Sequence, residues 1–260
     1  MDYENFLQVH LVPLISSPLE GGNPTDNGRV SSIYWDGERL QTKGGSSRWA
    51  EHLSELDDFH DRSTKLILDI AGVNDSNADF GGLKKALRRG GPYWLEAGAE
   101  DEDDLFDVLT LDPSIAALGS LRAESLEIFE QAMEISDACI PMLYLQDGDV
   151  HFKTYMDGLD AVCRSMTDMG YDECIIMDLD SLGGPMDKKL WDRVSSLDIS
   201  CIPAGGIDPE DITYLARRGY KAAVFDPRIV SKPQYEDSIR PLETEHTVSK
   251  PRHSGHWTGL

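Results

Sequence analysis

Positive charge is scarce in this chain: 24 Lys and Arg stand against 47 Asp and Glu, a formal net charge of −23 over 260 residues. A field of that sign repels nucleic acid and anionic membrane surfaces, so neither is expected as a partner. No uninterrupted apolar run is long enough to cross a bilayer. Met1-Asp2-Tyr3-Glu4-Asn5 offers no cationic segment ahead of an apolar one, so a cytoplasmic location is expected rather than secretion. Cysteine is sparse too. Cys139, Cys163, Cys174 and Cys201 form no CxxC and lie near no His pair with zinc-ligand spacing, so no metal is expected. Cys139, Cys174 and Cys201 sit in or beside apolar runs and read as small core residues. Missing, finally, is a G-x-G-x-x-G after the first apolar run, the usual sign of a dinucleotide site; no cofactor is expected.

What the chain does have is rhythm. Hydrophobic residues make up 40% of it, and short apolar runs alternate with amphipathic stretches of helical length, as in successive βα units. Strands are predicted at Val9–Ser16, Lys65–Ile70, Tyr93–Ala97, Ile115–Leu118, Ile140–Leu145, Cys174–Leu179, Ile199–Ala204 and Ala222–Phe225. Helices are predicted at Arg48–Phe59, Phe80–Arg89, Asp101–Leu109, Ala123–Ser136, Lys153–Met169, Lys188–Leu197 and Glu210–Arg218. Asp208-Pro209-Glu210-Asp211 supplies an N-cap, a first-turn proline and acids facing the positive end of the helix dipole. Gly170 and Gly219 fall where helix C-caps are expected. Strict alternation of this kind favours a single (βα)8 barrel over an open sheet.

Units recur about half a chain apart. Ala97-Gly98-Ala99-Glu100-Asp101 matches Ala204-Gly205-Gly206-Ile207-Asp208, Ile67-Leu68-Asp69-Ile70 matches Ile176-Met177-Asp178-Leu179, and Pro13-Leu14-Ile15 matches Pro141-Met142-Leu143. Three matches in one order predict a barrel made of two duplicated half-barrels, occupying residues 1–230. An insertion at about residues 20–45, with Val30–Trp35 and Arg39–Thr42 as hairpin strands, is placed after the first strand, on the active-site face of such barrels. It reads equally as a lid or as a surface decoration. Residues 231–260 are polar and proline-punctuated, which predicts a weak last helix and a disordered tail; His246, His253 and His256 there read as solvated.

Met177-Asp178-Leu179-Asp180-Ser181-Leu182-Gly183-Gly184-Pro185, followed by Ile202-Pro203-Ala204-Gly205-Gly206-Ile207, resembles the sixth- and seventh-strand loops of the histidine-biosynthesis (βα)8 barrel family. That family includes the ProFAR isomerase and the cyclase subunit of imidazole glycerol phosphate synthase. Leu68-Asp69-Ile70 is similar to its acidic second strand and Leu118-Gly119-Ser120 to its fourth-strand phosphate loop, so the resemblance runs over about Val9–Arg228. It implies a small phosphorylated substrate of phosphoribosyl or sugar-phosphate type. One phosphate would be held by Gly98, Gly119 and Ser120 and another by Gly205 and Gly206, through backbone N–H groups.

The chain departs from that pattern where the family does its chemistry. Ser16 and Tyr144 stand at the places of the two catalytic aspartates, Met177 replaces a threonine, and Phe225-Asp226-Pro227 brings a carboxylate, with Arg228 beside it, to the eighth-strand loop. The acids left at strand ends are Asp69 and Asp178, with Asp180 and Glu96 nearby; Asp69, Asp178, Asp180 and Tyr144 are therefore the candidate acid–base residues. Three readings stay open: a divergent enzyme with isomerase- or lyase-like proton transfer, a non-catalytic barrel that binds a ligand or partner, and an enzyme of one-carbon cofactor biosynthesis.

Overall fold

A computed structural model describes residues 6–15, 29–48, 52, 64–88 and 91–227. Twelve strands form one sheet: β1 (Leu7–Ile15), β2 (Arg29–Trp35), β3 (Leu40–Arg48), β4 (Thr64–Asp69), β5 (Tyr93–Glu96), β6 (Ile115–Gly119), β7 (Cys139–Gln146), β8 (Asp149–His151), β9 (Met156–Gly158), β10 (Glu173–Asp178), β11 (Ser200–Ala204) and β12 (Ala222–Phe225). Eight of these, β1, β4, β5, β6, β7, β10, β11 and β12, pair in parallel, and β12 returns to β1. The ring is closed, as in a TIM-type barrel, and its members coincide with the eight predicted strands.

Closure explains the apolar runs. A strand walled on one side by helices and on the other by the barrel interior buries both faces. Val9, Leu11, Leu66, Leu68, Trp94, Met142, Tyr144, Ile175, Met177 and Val224 join one buried cluster, the barrel interior. Their strand neighbours Val12, Ile67, Leu95, Leu118, Leu143, Leu145, Ile176 and Phe225 belong to a second cluster shared with the helices. Each fully buried Leu, Ile or Val is worth about 1.5–3 kcal/mol, so this alternation holds the barrel closed.

The helices that lie wholly within the described residues are α1 (Ile70–Asp75), α2 (Phe80–Leu87), α3 (Glu102–Leu109), α4 (Glu127–Ile135), α5 (Leu159–Met169), α6 (Lys188–Val194) and α7 (Ile212–Arg217), the last preceded by a 3₁₀ turn at Pro209–Asp211. Asp101 starts α3 by accepting from the Asp104 amide at 3.0 Å, and Gly170 ends α5 at φ +104°.

Three expectations need correction. Lys153–Met169 is not one helix: its first part belongs to the β8–β9 hairpin, and α5 begins only at Leu159. Arg48 belongs to β3 rather than to a helix. The short helix α1 follows β4 directly, where none was expected. The rest of the helix predicted at Arg48–Phe59, apart from His52, and the tail of 231–260 with its histidines lie outside the described residues.

Hairpins follow both the first and the fifth barrel strand. β2 runs antiparallel to β1 and pairs with β3, and β8 runs antiparallel to β7 and pairs with β9. At the tip of the second, Asp147 and Gly148 both have positive φ, 52° and 84°, the mirror-image turn that two-residue hairpins favour. Among the described residues no helix is long and apolar enough to cross a membrane.

Candidate functional site at the rim of strands six to eight

Parallel strands deliver all their C-terminal ends to one rim, so Asp69 and Asp178 lie on the same end of the barrel. The β2–β3 hairpin spans that rim. The Leu40 amide donates to Asn74 Oδ1 at 3.0 Å and its carbonyl accepts from Asn74 Nδ2 at 2.9 Å. Arg39 pairs with Asp75. Trp35 Nε1 donates to Gln146 at 3.2 Å, and its ring meets His151 edge-on at 5.7 Å. Ile33 and Leu40 of the hairpin enter the same apolar cluster as the barrel interior.

An opening remains to one side, at the ends of β10, β11 and β12. It encloses about 350 Å³ and is lined by Gly183 and Gly184, by Gly206, Ile207 and Asp208, by Asp226 and Pro227, and by Ser32 and Lys43 of the hairpin. Among the described residues Lys43 is the only basic one of that lining. Asp226 is its most distinctive member. Oδ2 accepts from the amides of Gly183 and Gly206, each at 3.0 Å, while Oδ1 is buried with no hydrogen-bond partner. Burial pushes its pKa up to about 6; the two glycine amides pull the other way, and the nearby Asp178 charge adds to the rise.

Of the predicted phosphate residues, Gly206 lines this cavity, and its amide is the one held by Asp226. Gly205 lies behind it at φ +94°, where a Cβ would come within 2.2 Å of the Asp178 carbonyl oxygen; only glycine fits so close to backbone. Gly98 repeats that geometry in the other half, at φ +73° with a Cβ position 2.1 Å from the Gly72 carbonyl oxygen. Its amide donates to Glu96 Oε2 at 2.7 Å. Ser120 is buried and internally satisfied: its hydroxyl donates to the His151 carbonyl at 2.8 Å and accepts from the Tyr144 amide at 2.9 Å. Gly119 lies between Glu96 and Tyr144, and a Cβ there would meet both.

The predicted acids divide by position. Asp69 is fully buried and accepts from the amides of Ala71 (3.0 Å), Gly72 (3.3 Å) and Asp79 (2.9 Å), capping α1 and the turn beyond it. Burial raises its pKa against those three amides. Asp178 does the same in the second half, accepting from the Asp180 amide at 3.2 Å and the Ser181 hydroxyl; burial raises it as well. Exposed Asp180 accepts from the Asp147 amide at 2.7 Å, fastening the β8 hairpin to the sixth-strand loop. Tyr144 points into the barrel, fully buried, with its hydroxyl unpartnered. Burial and the neighbouring Glu96 charge raise its pKa well above the ordinary value.

Glu96 shares that interior. Strand alternation puts it on the side of Trp94, and burial pushes its pKa up to about 8 while the Gly98 and Gly119 amides favour its charged form. Its Oε1 lacks a hydrogen-bond partner. The residues gathered by the fold are thus Glu96, Gly98, Gly119 and Tyr144 at one place on the rim, and Asp178, Gly183, Gly206 and Asp226 at another. Lys43, Gly183 and Asp226 had no assigned part in the sequence reading. The signal for Asp226 is a carboxylate in a glycine-rich rim, which the sequence alone marks only as a departure from the family's eighth-strand loop. Among the described residues no group of three or more His, Cys, Asp or Glu is arranged to hold a metal ion. No protein-family model and no curated protein matches the chain.

Proposed function

We propose that this barrel is an enzyme that performs isomerase- or lyase-like proton transfer on a small phosphorylated metabolite bound in the cavity of the sixth to eighth strand ends. The observation that carries this reading is the Asp226 carboxyl: it lines a cavity on the rim where such barrels do their chemistry, and burial brings it to about 6. A group titrating near the working pH can both take and return a proton. Lys43, on the hairpin that roofs the cavity, is the natural counter-charge for the substrate's anionic group in a chain of net charge −23. Asp69 and Asp178 then act as positioning residues: their carboxylates are spent on backbone amides and a hydroxyl, and they hold the loops that carry the site. Kinship with the histidine-biosynthesis barrels, and origin of the two halves by duplication, belong to the same reading. Its support is the recurrence, half a barrel apart, of a post-strand hairpin, an aspartate turn cap and a positive-φ glycine.

The test is a thermal-shift screen with phosphoribosyl and sugar-phosphate compounds, followed by turnover assays on any stabilising compound. A ligand at about a hundred times its dissociation constant stabilises by about 2.7 kcal/mol, which is easily read. Asp226→Asn should retain the stabilisation and lose turnover by at least about a hundredfold. Unchanged turnover in that variant rejects Asp226 as the acid–base group.

One observation favours a second reading, a non-catalytic barrel that binds a ligand or partner. Glycine amides that could grip a phosphate already hold Glu96 and Asp226. On that reading Asp226→Asn leaves cellular function intact, and complementation of a deletion strain distinguishes the two.

A further inference from the structure

At two places, glycine amides serve a carboxyl oxygen, and in both the carboxyl comes from the chain itself. The Gly98 amide donates to Glu96, with the Gly119 amide adding a favourable field; Gly183 and Gly206 donate to Asp226. The two differ in whether the carboxylate can leave. Glu96 is fully buried, and a methyl group at Gly119 would already lie 2.0 Å from its Oε1 and 2.8 Å from the Tyr144 ring. The space beside that oxygen is taken up by the chain itself, and Glu96 is not among the residues that line the cavity. Asp226 is half-buried beside an open cavity, one oxygen has no partner, and Lys43 stands in the same lining.

We infer that the ligand of this cavity binds through one anionic group only, which displaces the Asp226 carboxylate from the Gly183 and Gly206 amides, while the turn holding Glu96 is permanently closed to ligands. The inference rests on the proposed function and narrows it, since a substrate gripped by an anion at each end is ruled out. Exchange also links binding to chemistry. A displaced Asp226 loses two amide donors and gains a neighbouring anion, and both changes make it a stronger proton acceptor. Substrate arrival thereby prepares the base.

The experiment follows the backbone amide resonances of Gly98, Gly119, Gly183 and Gly206 in the isotopically labelled full chain. Inorganic phosphate, glycerol 3-phosphate and fructose 1,6-bisphosphate are titrated into the unaltered protein and into Asp226→Gly, with Asp226→Ser in reserve should the glycine variant not fold. The expected result is saturable movement of Gly183 and Gly206, none of Gly98 and Gly119, and similar affinity for the mono- and bisphosphate. Removing the competing carboxylate should tighten inorganic phosphate by about tenfold or more. Movement of Gly98 and Gly119, or a bisphosphate bound more than about tenfold tighter than the monophosphate, overturns the single-anion inference and leaves the proposed function standing. Unchanged phosphate affinity in Asp226→Gly overturns the displacement. If no resonance moves in any of these proteins, the phosphorylated-metabolite reading falls with the inference.

Discussion

Glu96 and Tyr144 meet inside the barrel across Gly119, the carboxylate from the third strand of the ring and the phenol from the fifth, and both keep an unpartnered oxygen. Polar groups buried this way are costly when charged, so the pair should dominate the response of stability to pH. Burial raises Glu96 from 4.5 in the unfolded chain to about 8 in the fold. Over that interval the native state holds a proton that the unfolded state has lost. The contribution is therefore most favourable at the acid end, falls as pH climbs from about 4.5 to about 8, and is flat above. Urea unfolding of the unaltered protein from about pH 5 to about pH 9 should show a decline of about 2–4 kcal/mol that Glu96→Gln largely removes. A variant with the same slope would place the titrating group elsewhere.

Gly205 and Gly219 allow backbone strain and steric crowding to be separated. Their φ values are nearly equal, +94° and +92°, but a Cβ on Gly205 would stand 2.2 Å from the Asp178 carbonyl oxygen, whereas nothing lies within 4 Å of one on Gly219. Gly219→Ala should cost only the left-handed backbone penalty, about 1–2 kcal/mol. Gly205→Ala adds a clash between backbones that cannot both stay, and should cost about 3–5 kcal/mol in chemical denaturation. Equal costs would mean that the seventh-strand turn gives way easily.

Much of this architecture is legible before folding. Runs such as Ile115–Leu118 and Cys174–Leu179 are apolar because both faces of each strand are covered, and Ala97-Gly98 and Ala204-Gly205 announce the same positive-φ turn twice. The β8–β9 hairpin was missed although Asp147-Gly148 is a strong two-residue turn signal; the polar stretch after it blends into the pattern of α5. The six residues of α1 are too few to display a helical period. The site is harder to read for a different reason. Asp226 gains its meaning from amides 43 and 20 residues away in sequence, and only barrel closure brings them together. Glu96 likewise reads only as one more acid near the strand-end aspartates until the register puts it on the side of Trp94.

Asp69 and Asp180 are both strand-end acids, yet their substitutions should differ. An asparagine at 69 keeps one acceptor oxygen for three amides and aims an N–H₂ group at donors it cannot satisfy. Asp69→Asn should cost about 1–3 kcal/mol, partly offset because the buried charge is also removed. Asp180 is exposed and accepts from a single amide, so Asp180→Asn should cost less than about 1 kcal/mol. Thermal unfolding of both variants decides the matter, and a larger loss at Asp180 would contradict the assignment of Asp69 as the main cap.

Asn74 is one of the points that hold the hairpin over the rim. Its side chain makes two hydrogen bonds to the backbone of Leu40, one as acceptor and one as donor, and so imitates a strand partner at the start of β3. Asn74→Ala leaves the Leu40 amide and carbonyl without those bonds, although Leu40 itself is buried in the apolar cluster. The global loss should be about 1–2 kcal/mol. The local effect should be greater, because hairpin opening requires far less than global unfolding. Amide exchange at Ile33, Trp35 and Leu40 should accelerate by about tenfold or more, while exchange in Ile175 and Ile176 of β10 changes only by the global amount. Because Ser32 and Lys43 belong to the same hairpin and line the cavity, the variant should also weaken any cavity ligand. Faster exchange with unchanged ligand affinity would show that the roof is not part of the binding site.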